Sequence, residues 1–381
     1  MSAVPGLLGS TVLISGVVAL SRMKALSPSK RVLTILISLL LCSTASILYA
    51  HSAADQSKGA GLSCTTFMAT DGHLALLGDS EDAGMNHPLA GHPADATVFF
   101  RIGAGSDYGR MHLGWLWQGE QVSFQAGMND QGLAYALTAV PNTPMNPHPE
   151  RPFTHGRDSF YDRILREAAT VDEAIQETME FDFTSCWFQI QFADASGQSA
   201  ILSPGSNGEF AITRKAPDES ALVASTFNTA EPDHYIGKDS FRRYTQASAA
   251  LEKSTKEALS LGNFTKALRA VDRHGPYLFN QSYTMYSTIY NLTGLEATIY
   301  VLSCYESPIM INLREALKQG SHQMALRDFI PSKQLDRAIW RYWITQIGSV
   351  CILAITLPGG IAALVIALRR KTCRKGEKHA C

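Results

Sequence analysis

The pattern of apolar and polar positions changes character several times along this chain. From Cys64 the run CTTFMA reads as a strand, Asp71-Gly72 as a turn, and HLALLG as a second strand, together a β-hairpin. Further strand-like runs are Thr97–Ile102, Met111–Trp117, Val122–Ala126 and, after the turn Asn129-Asp130-Gln131-Gly132, Leu133–Val140. Apolar residues then recur at helical spacing in Ser159–Thr178, at Phe160, Ile164, Leu165, Ala168, Ala169 and Ala174. Strands follow at Trp187–Ala193, Ser199–Leu202 and Ala221–Ser225, a second long helix at Ser240–Leu261, and a closing hairpin at Ser287–Leu292 and Ala297–Ser303. Strands, helix, strands, helix, strands predicts a layered α+β domain with helices on antiparallel sheets.

Three apolar runs stand outside this alternation: residues 3–20, Val32–Ala50 and Ile344–Leu368. The last two are long enough for a membrane-spanning helix, which needs roughly 20 apolar residues. Arg369, Arg370, Lys371, Arg374, Lys375 and Lys378 crowd the end of the third run. The positive-inside rule makes residues 369–381 a basic cytoplasmic tail and 344–368 a transmembrane helix. Residues 1–50 are then a signal or N-terminal membrane region. The polar stretch 51–63 is a linker or propeptide, and 64–330 is a domain outside the cell or in a lumen. Sequons at Asn263, Asn280 and Asn291 agree with export, and so with a glycoprotein.

Composition adds exclusions. Of 381 residues, 45% are hydrophobic and 18% charged, which is ordinary for a globular protein. A net charge of −1 argues against a nucleic-acid binder. His87 and His92 lack a third ligand, so no metal or cofactor is expected. Of seven cysteines, only Cys64, Cys186 and Cys304 fall in the exported domain. If Cys64 is a nucleophile, Cys186 and Cys304 either pair with each other or stay as two buried thiols. Asn129 and Gly132 read as turn formers, and Trp115, Trp117 and Trp187 as core.

Candidate chemistry centres on Cys64. A cysteine at a chain's N-terminus can use its own amino group as base for its thiol. That requires cleavage after Ser63, a carboxylate to hold the amine, and donors for the oxyanion. A hairpin returns its second strand beside the first, so Asp82 lies near the start of strand one.

The run CTTFMATDGHLALLGDSEDAG resembles the opening of the choloylglycine hydrolase group of linear amide C–N hydrolases. These are N-terminal-nucleophile (Ntn) enzymes that include penicillin V acylases and acid ceramidase-like amidases, with isopenicillin N acyltransferase and carcinine hydrolase as a related branch. Gly127–Leu133, Ser225–Asn228, Asp239–Tyr244 and Tyr286–Leu292 resemble later motifs of the group in the same order, so the likeness covers about residues 64–330. It implies a four-layer αββα sandwich and hydrolysis of a small-molecule amide through an acyl-enzyme. It further implies Cys64 as nucleophile, Asp82 holding its amine, Asn228 binding the oxyanion and Arg243 orienting the site, with Arg242 the alternative to Arg243. Two positions depart from the pattern. Asp79 stands where the group has an arginine, and an acid there raises the thiol pKa. Ala139 stands where bile-salt hydrolases have an asparagine, which points away from bile salts.

The same residues fit an acyltransferase, in which an amine intercepts the acyl-enzyme, and a dipeptidase. From another class comes a non-catalytic, membrane-anchored ectodomain, which Asp79 favours.

Overall fold

The computed structural model describes residues 64–84, 95–117, 121–152, 157–232, 238–256, 258–273, 282–342 and 344. The expected N-terminal membrane region, the linker, residues 345–368, the basic tail, His87, His92 and Asn280 lie outside them. Among the described residues no helix is long and apolar enough to cross a membrane.

Fourteen strands form two antiparallel sheets. The first, in spatial order, runs β10 (Ala221–Ser225), β1 (Thr65–Thr70), β2 (Ala75–Gly84), β11 (Ser282–Asn291), β12 (Glu296–Val301) and β13 (Ile309–Asn312). The second runs β14 (His322–Ala325), β3 (Thr97–Arg101), β4 (Arg110–Trp117), β5 (Gln121–Asn129), β6 (Ala134–Pro144), β7 (Ser185–Ala193), β8 (Ser199–Pro204) and β9 (Phe210–Arg214). The opening hairpin forms as expected. Asp71 Oδ1 accepts from the amides of His73 at 3.0 Å and Leu74 at 2.8 Å, and Gly72 takes φ +87°. That Asx-type turn is why Asp-Gly ends the strand.

Three cores separate four layers. Met68, Leu77, Tyr286 and Tyr290 of the first sheet meet Val98, Phe100, Met111 and Trp115 of the second. The other face of the first sheet, with Phe67, Leu76 and Ile289, packs on α3 (Lys238–Lys256) and α4 (Leu261–Val271) through Leu251, Phe264 and Leu268. The other face of the second, with Tyr135, Phe188 and Phe192, packs on α1 (Arg157–Glu167) and α2 (Val171–Met179) through Phe160, Ile164 and Ile175. This is an αββα sandwich, and the period-2 alternation of each strand decides which core a side chain joins.

The first predicted helix is divided and the second is shorter than expected. Thr170 accepts from the amide of Glu173 at 3.2 Å and caps a new helix, so 159–178 is a pair. Asn129 Nδ2 donates to the carbonyls of Leu165 and Ala168, 2.9 and 2.7 Å away, at the break. Its Oδ1 also accepts from Gln131 and Leu133 amides, the turn-forming role expected of it. The second predicted helix forms as α3, which ends at Lys256, and Ser260 caps a further helix, α4, that the apolar spacing does not indicate. Cys186 and Cys304 are not joined: the Cys186 thiol donates to the Phe188 carbonyl at 3.0 Å. Trp115 is core and packs against Tyr286. Asn263 donates to the Ala258 carbonyl, and Asn291 Oδ1 caps the β11–β12 turn by accepting from the Gly294 amide at 2.9 Å.

Candidate active site

Cys64 is the residue before β1. Thr65 pairs with Ser225 on one side and Ser80 on the other. Continuing that register by one residue sets Cys64 between Thr226 and Glu81. The thiol is buried, and its Sγ donates to Glu81 Oε2 at 3.1 Å.

Alternation along β2 then sorts its acidic run onto two faces. Ser80 and Asp82 face the α3/α4 layer, and Asp79 and Glu81 face the space between the sheets. On the helix side stands Arg243, fully buried on α3. Its Nη1 donates to Asp82 Oδ2 at 3.1 Å and to Thr65 Oγ1, its Nη2 to Thr226 Oγ1 at 2.9 Å, and its Nε to Asp239 Oδ2 at 3.2 Å. One guanidinium therefore ties together the residues flanking Cys64 on three neighbouring strands. Thr284 donates to Asp82 Oδ1 at 2.5 Å and Ser80 Oγ donates to the same atom at 3.2 Å. Burial raises the Asp82 carboxyl to about 6, against the lowering effect of Arg243, Arg273 and the Thr284 hydrogen bond. The choice between the two arginines resolves on geometry. Arg242 is 46% exposed and spends its guanidinium on Asp239 and Gln246.

The carboxylate opposite Cys64 is Glu81, not Asp82. The hairpin argument brings both near strand one, but the pleat gives them different faces, and Glu81 takes the thiol. Sequence reading passed over Glu81. The available signal was the register itself, since residues 64 and 81 pair when a turn is centred on 72–73. Asp79 does not point away. Burial first, then the charges of Glu81, Asp79 and Asp82, push the Cys64 thiol well above its ordinary pKa. Asp79 is itself held well above the carboxylate range by burial and by Glu81 and Asp82.

Asn228 lies three residues beyond Ser225, in the segment that continues past Cys64. Its Nδ2 donates to the Pro204 carbonyl at 2.6 Å and its Oδ1 accepts from the Ala230 amide at 2.9 Å. One amide N–H is thus committed to the Pro204 carbonyl of β8. Gln189 on β7, another residue passed over, anchors this loop. Its Nε2 donates to the carbonyls of Ser225 and Phe227 at 2.8 and 3.0 Å, and its Oε1 accepts from the Thr229 amide at 3.1 Å. The Asn228 segment is therefore held to both sheets. Ala139 on β6 offers no polar group at all.

No family model matches this sequence, and no curated protein sequence matches it. Solved structures do. Two structures of the conjugated bile acid hydrolase of Clostridium perfringens align with TM-scores of 0.53 and 0.52 at 12% and 11% identity. They cover 68% and 69% of this chain and 96% and 95% of their own. Penicillin V acylase of Agrobacterium tumefaciens aligns at 17% identity over 65% of this chain and 84% of its own, with a TM-score of 0.49. The layers, the strand order around Cys64 and the alignments over nearly all of the bile acid hydrolase agree: this chain has the sandwich fold of the Ntn linear amide hydrolases.

Proposed function

We propose that the domain is an amidase that cleaves a linear amide C–N bond, with Cys64 as nucleophile after the bond from Ser63 is cut. The observation that carries this reading is the thiol at the head of β1, held between Thr226 and Glu81 and buttressed by the Asp82–Arg243–Thr65 cluster. The α-amine freed at Cys64 takes the thiol proton, and sulfur attacks the amide carbonyl. The second Asn228 N–H donates to the oxyanion. The C–N bond breaks as the amine leaves with the proton, and water then hydrolyses the thioester. Glu81 and Asp82, on opposite faces of β2, both favour a charged amine at Cys64.

The test is N-terminal sequencing of the mature protein, followed by an amide panel read for released amine. Expected is a chain beginning at Cys64 whose activity falls by about 10⁴-fold or more in Cys64→Ala. A mature chain still carrying residues 51–63, with no turnover, would refute it. The raised thiol pKa favours one second reading, a non-catalytic ectodomain, and that result would establish it. An added amine acceptor separates hydrolase from acyltransferase by product. We further propose a membrane-anchored topology, with 344–368 spanning, 369–381 cytoplasmic and the catalytic domain outside or lumenal. Protease protection of the tail in sealed vesicles tests it.

A further inference from the structure

The face of the first sheet that looks toward the second carries an unusual set of side chains. Register places Thr66, Asp79 and Thr288 in one cross-strand row on β1, β2 and β11. The next row holds Cys64, Glu81 and Tyr286, and the row on the other side holds Met68, Leu77 and Tyr290. All are buried. Among the described residues, both carboxyl oxygens of Asp79 and the hydroxyls of Thr66, Thr288, Tyr286 and Tyr290 have no hydrogen-bond partner.

Buried polar atoms are nearly always partnered, and a concentration of orphans marks a place that a ligand or water completes. Other buried polar groups of this domain are richly bonded, Asn129, Gln189 and Arg243 each making three or more hydrogen bonds. Further orphan atoms are scattered, as at Gln191 Oε1 and Thr229 Oγ1, but among the described residues the six named here lie together on the wall beside Cys64. Water would satisfy their hydrogen bonds but not a charge on Asp79. Arg243, the cation bound within this strand set, is on the other face with Asp82. The guest that answers both demands carries a positive charge and several N–H donors.

We propose that this wall is a recognition site for a primary ammonium group, with Asp79 as its principal contact and the four hydroxyls around it. Resting on the amidase reading above, the substrate class is a linear amide bearing an ammonium near its scissile bond. Strand spacing sets the reach. Neighbouring strands lie about 4.8 Å apart and same-face residues about 7 Å apart along a strand, so the ammonium sits roughly 5–7 Å from the reacting carbonyl. A linker of three to five atoms spans that distance.

Charge selection at Cys64 is measurable without turnover. The purified full-length protein is treated with 2-aminoethyl, methyl and 2-sulfonatoethyl methanethiosulfonate. Modification of the Cys64 peptide is followed by mass spectrometry, normalised to each reagent's rate with a small thiol. We expect the ammonium reagent to outpace the sulfonate by about tenfold or more, with the neutral reagent between. Asp79→Asn lowers that ratio severalfold. If that variant lacks a melting transition, Glu81→Gln carries the same expectation. Equal rates, a faster sulfonate, or a Cys64 that no reagent reaches while Cys304 reacts overturns the proposal, the last leaving only enclosed water. A matched amide pair, an N-acyl ethylenediamine and its N-acyl propylamine counterpart, then separates the two readings. Reagent selectivity with neither amide cleaved keeps the ammonium site and discards the amidase. Both amides cleaved equally, without reagent selectivity, does the reverse.

Discussion

The two faces of β2 hold the same kind of residue in opposite circumstances. On the helix side, Asp82 has a buried arginine, a threonine and a serine directed at it. On the inter-sheet side, Asp79 is as deeply buried and, among the described residues, has no hydrogen bond to either oxygen. The first carboxylate is part of a closed structural network, and its charge is spent on holding Arg243 between strands. The second is uncompensated, and its field falls on the nucleophile and on whatever occupies the space beside it. Adjacent positions in a strand can thus belong to different electrostatic worlds, because a pleat separates them by a whole layer.

The largest effect that would break this comparison is removal of the cation. Arg243→Met should destabilise the domain by about 3–5 kcal/mol, because Asp82 is left buried and unpaired. Urea unfolding reads it from the midpoint. The double variant with Asp82→Asn should recover more than half of that loss. If the single variant costs under about 1 kcal/mol, the helix-side network is not what holds these strands in place.

How far the sequence reveals this arrangement depends on the range of the interaction. The opening hairpin, the Asn129 turn and the closing hairpin are legible because turn residues act on their own neighbours. The hairpin alone brings Asp82 near the start of β1, and Arg243 joins it there through Thr65 and Asp82. The break at Thr170 carries a capping hydroxyl, but the apolar spacing on both sides masks it. Strands β9, β13 and β14 are short edge or near-edge strands whose patterns are too brief to read. Glu81 is legible only through the hairpin register, one residue away from Asp82. Gln189 is invisible, because it acts on carbonyls 36 and 38 residues away and no local pattern encodes such contacts.

On the other face the sign reverses. Asp79→Asn should stabilise the domain, by roughly 1–3 kcal/mol at pH 8, since a buried group without partners is made neutral. The sign follows from linkage. The Asp79 pKa is raised in the folded state, so from about pH 4 upward the folded form binds more protons than the unfolded one, and stability falls with pH until the folded pKa is passed. The variant lacks that loss, so its gain in melting temperature should be small at pH 5 and larger at pH 8. A gain that does not vary with pH would mean that Asp79 is not a titrating, uncompensated acid. Ammonium binding beside it should release a proton, which links this measurement to the proposed ligand.

The smallest expected effect probes how completely Asp82 is satisfied. Thr284→Val removes the hydrogen bond to Asp82 Oδ1, and with it the acceptor of the Arg273 amide, while Arg243 and Ser80 remain. A cost of about 1–2 kcal/mol near neutral pH is expected, in line with a hydrogen bond to a charged group. The hydroxyl favours the ionised carboxyl, so its loss should move the Asp82 pKa upward from about 6. Because the folded value is raised, stability is lost as pH climbs from about 4 through 6; the variant's further rise extends that loss above pH 6, so its deficit should shrink as pH falls below about 6. Melting curves at pH 5 and pH 8 check this directly. A deficit equal at the two pH values would place the threonine's contribution in its bond to the Arg273 amide and in packing, and would leave Arg243 chiefly responsible for the contrast between the two faces.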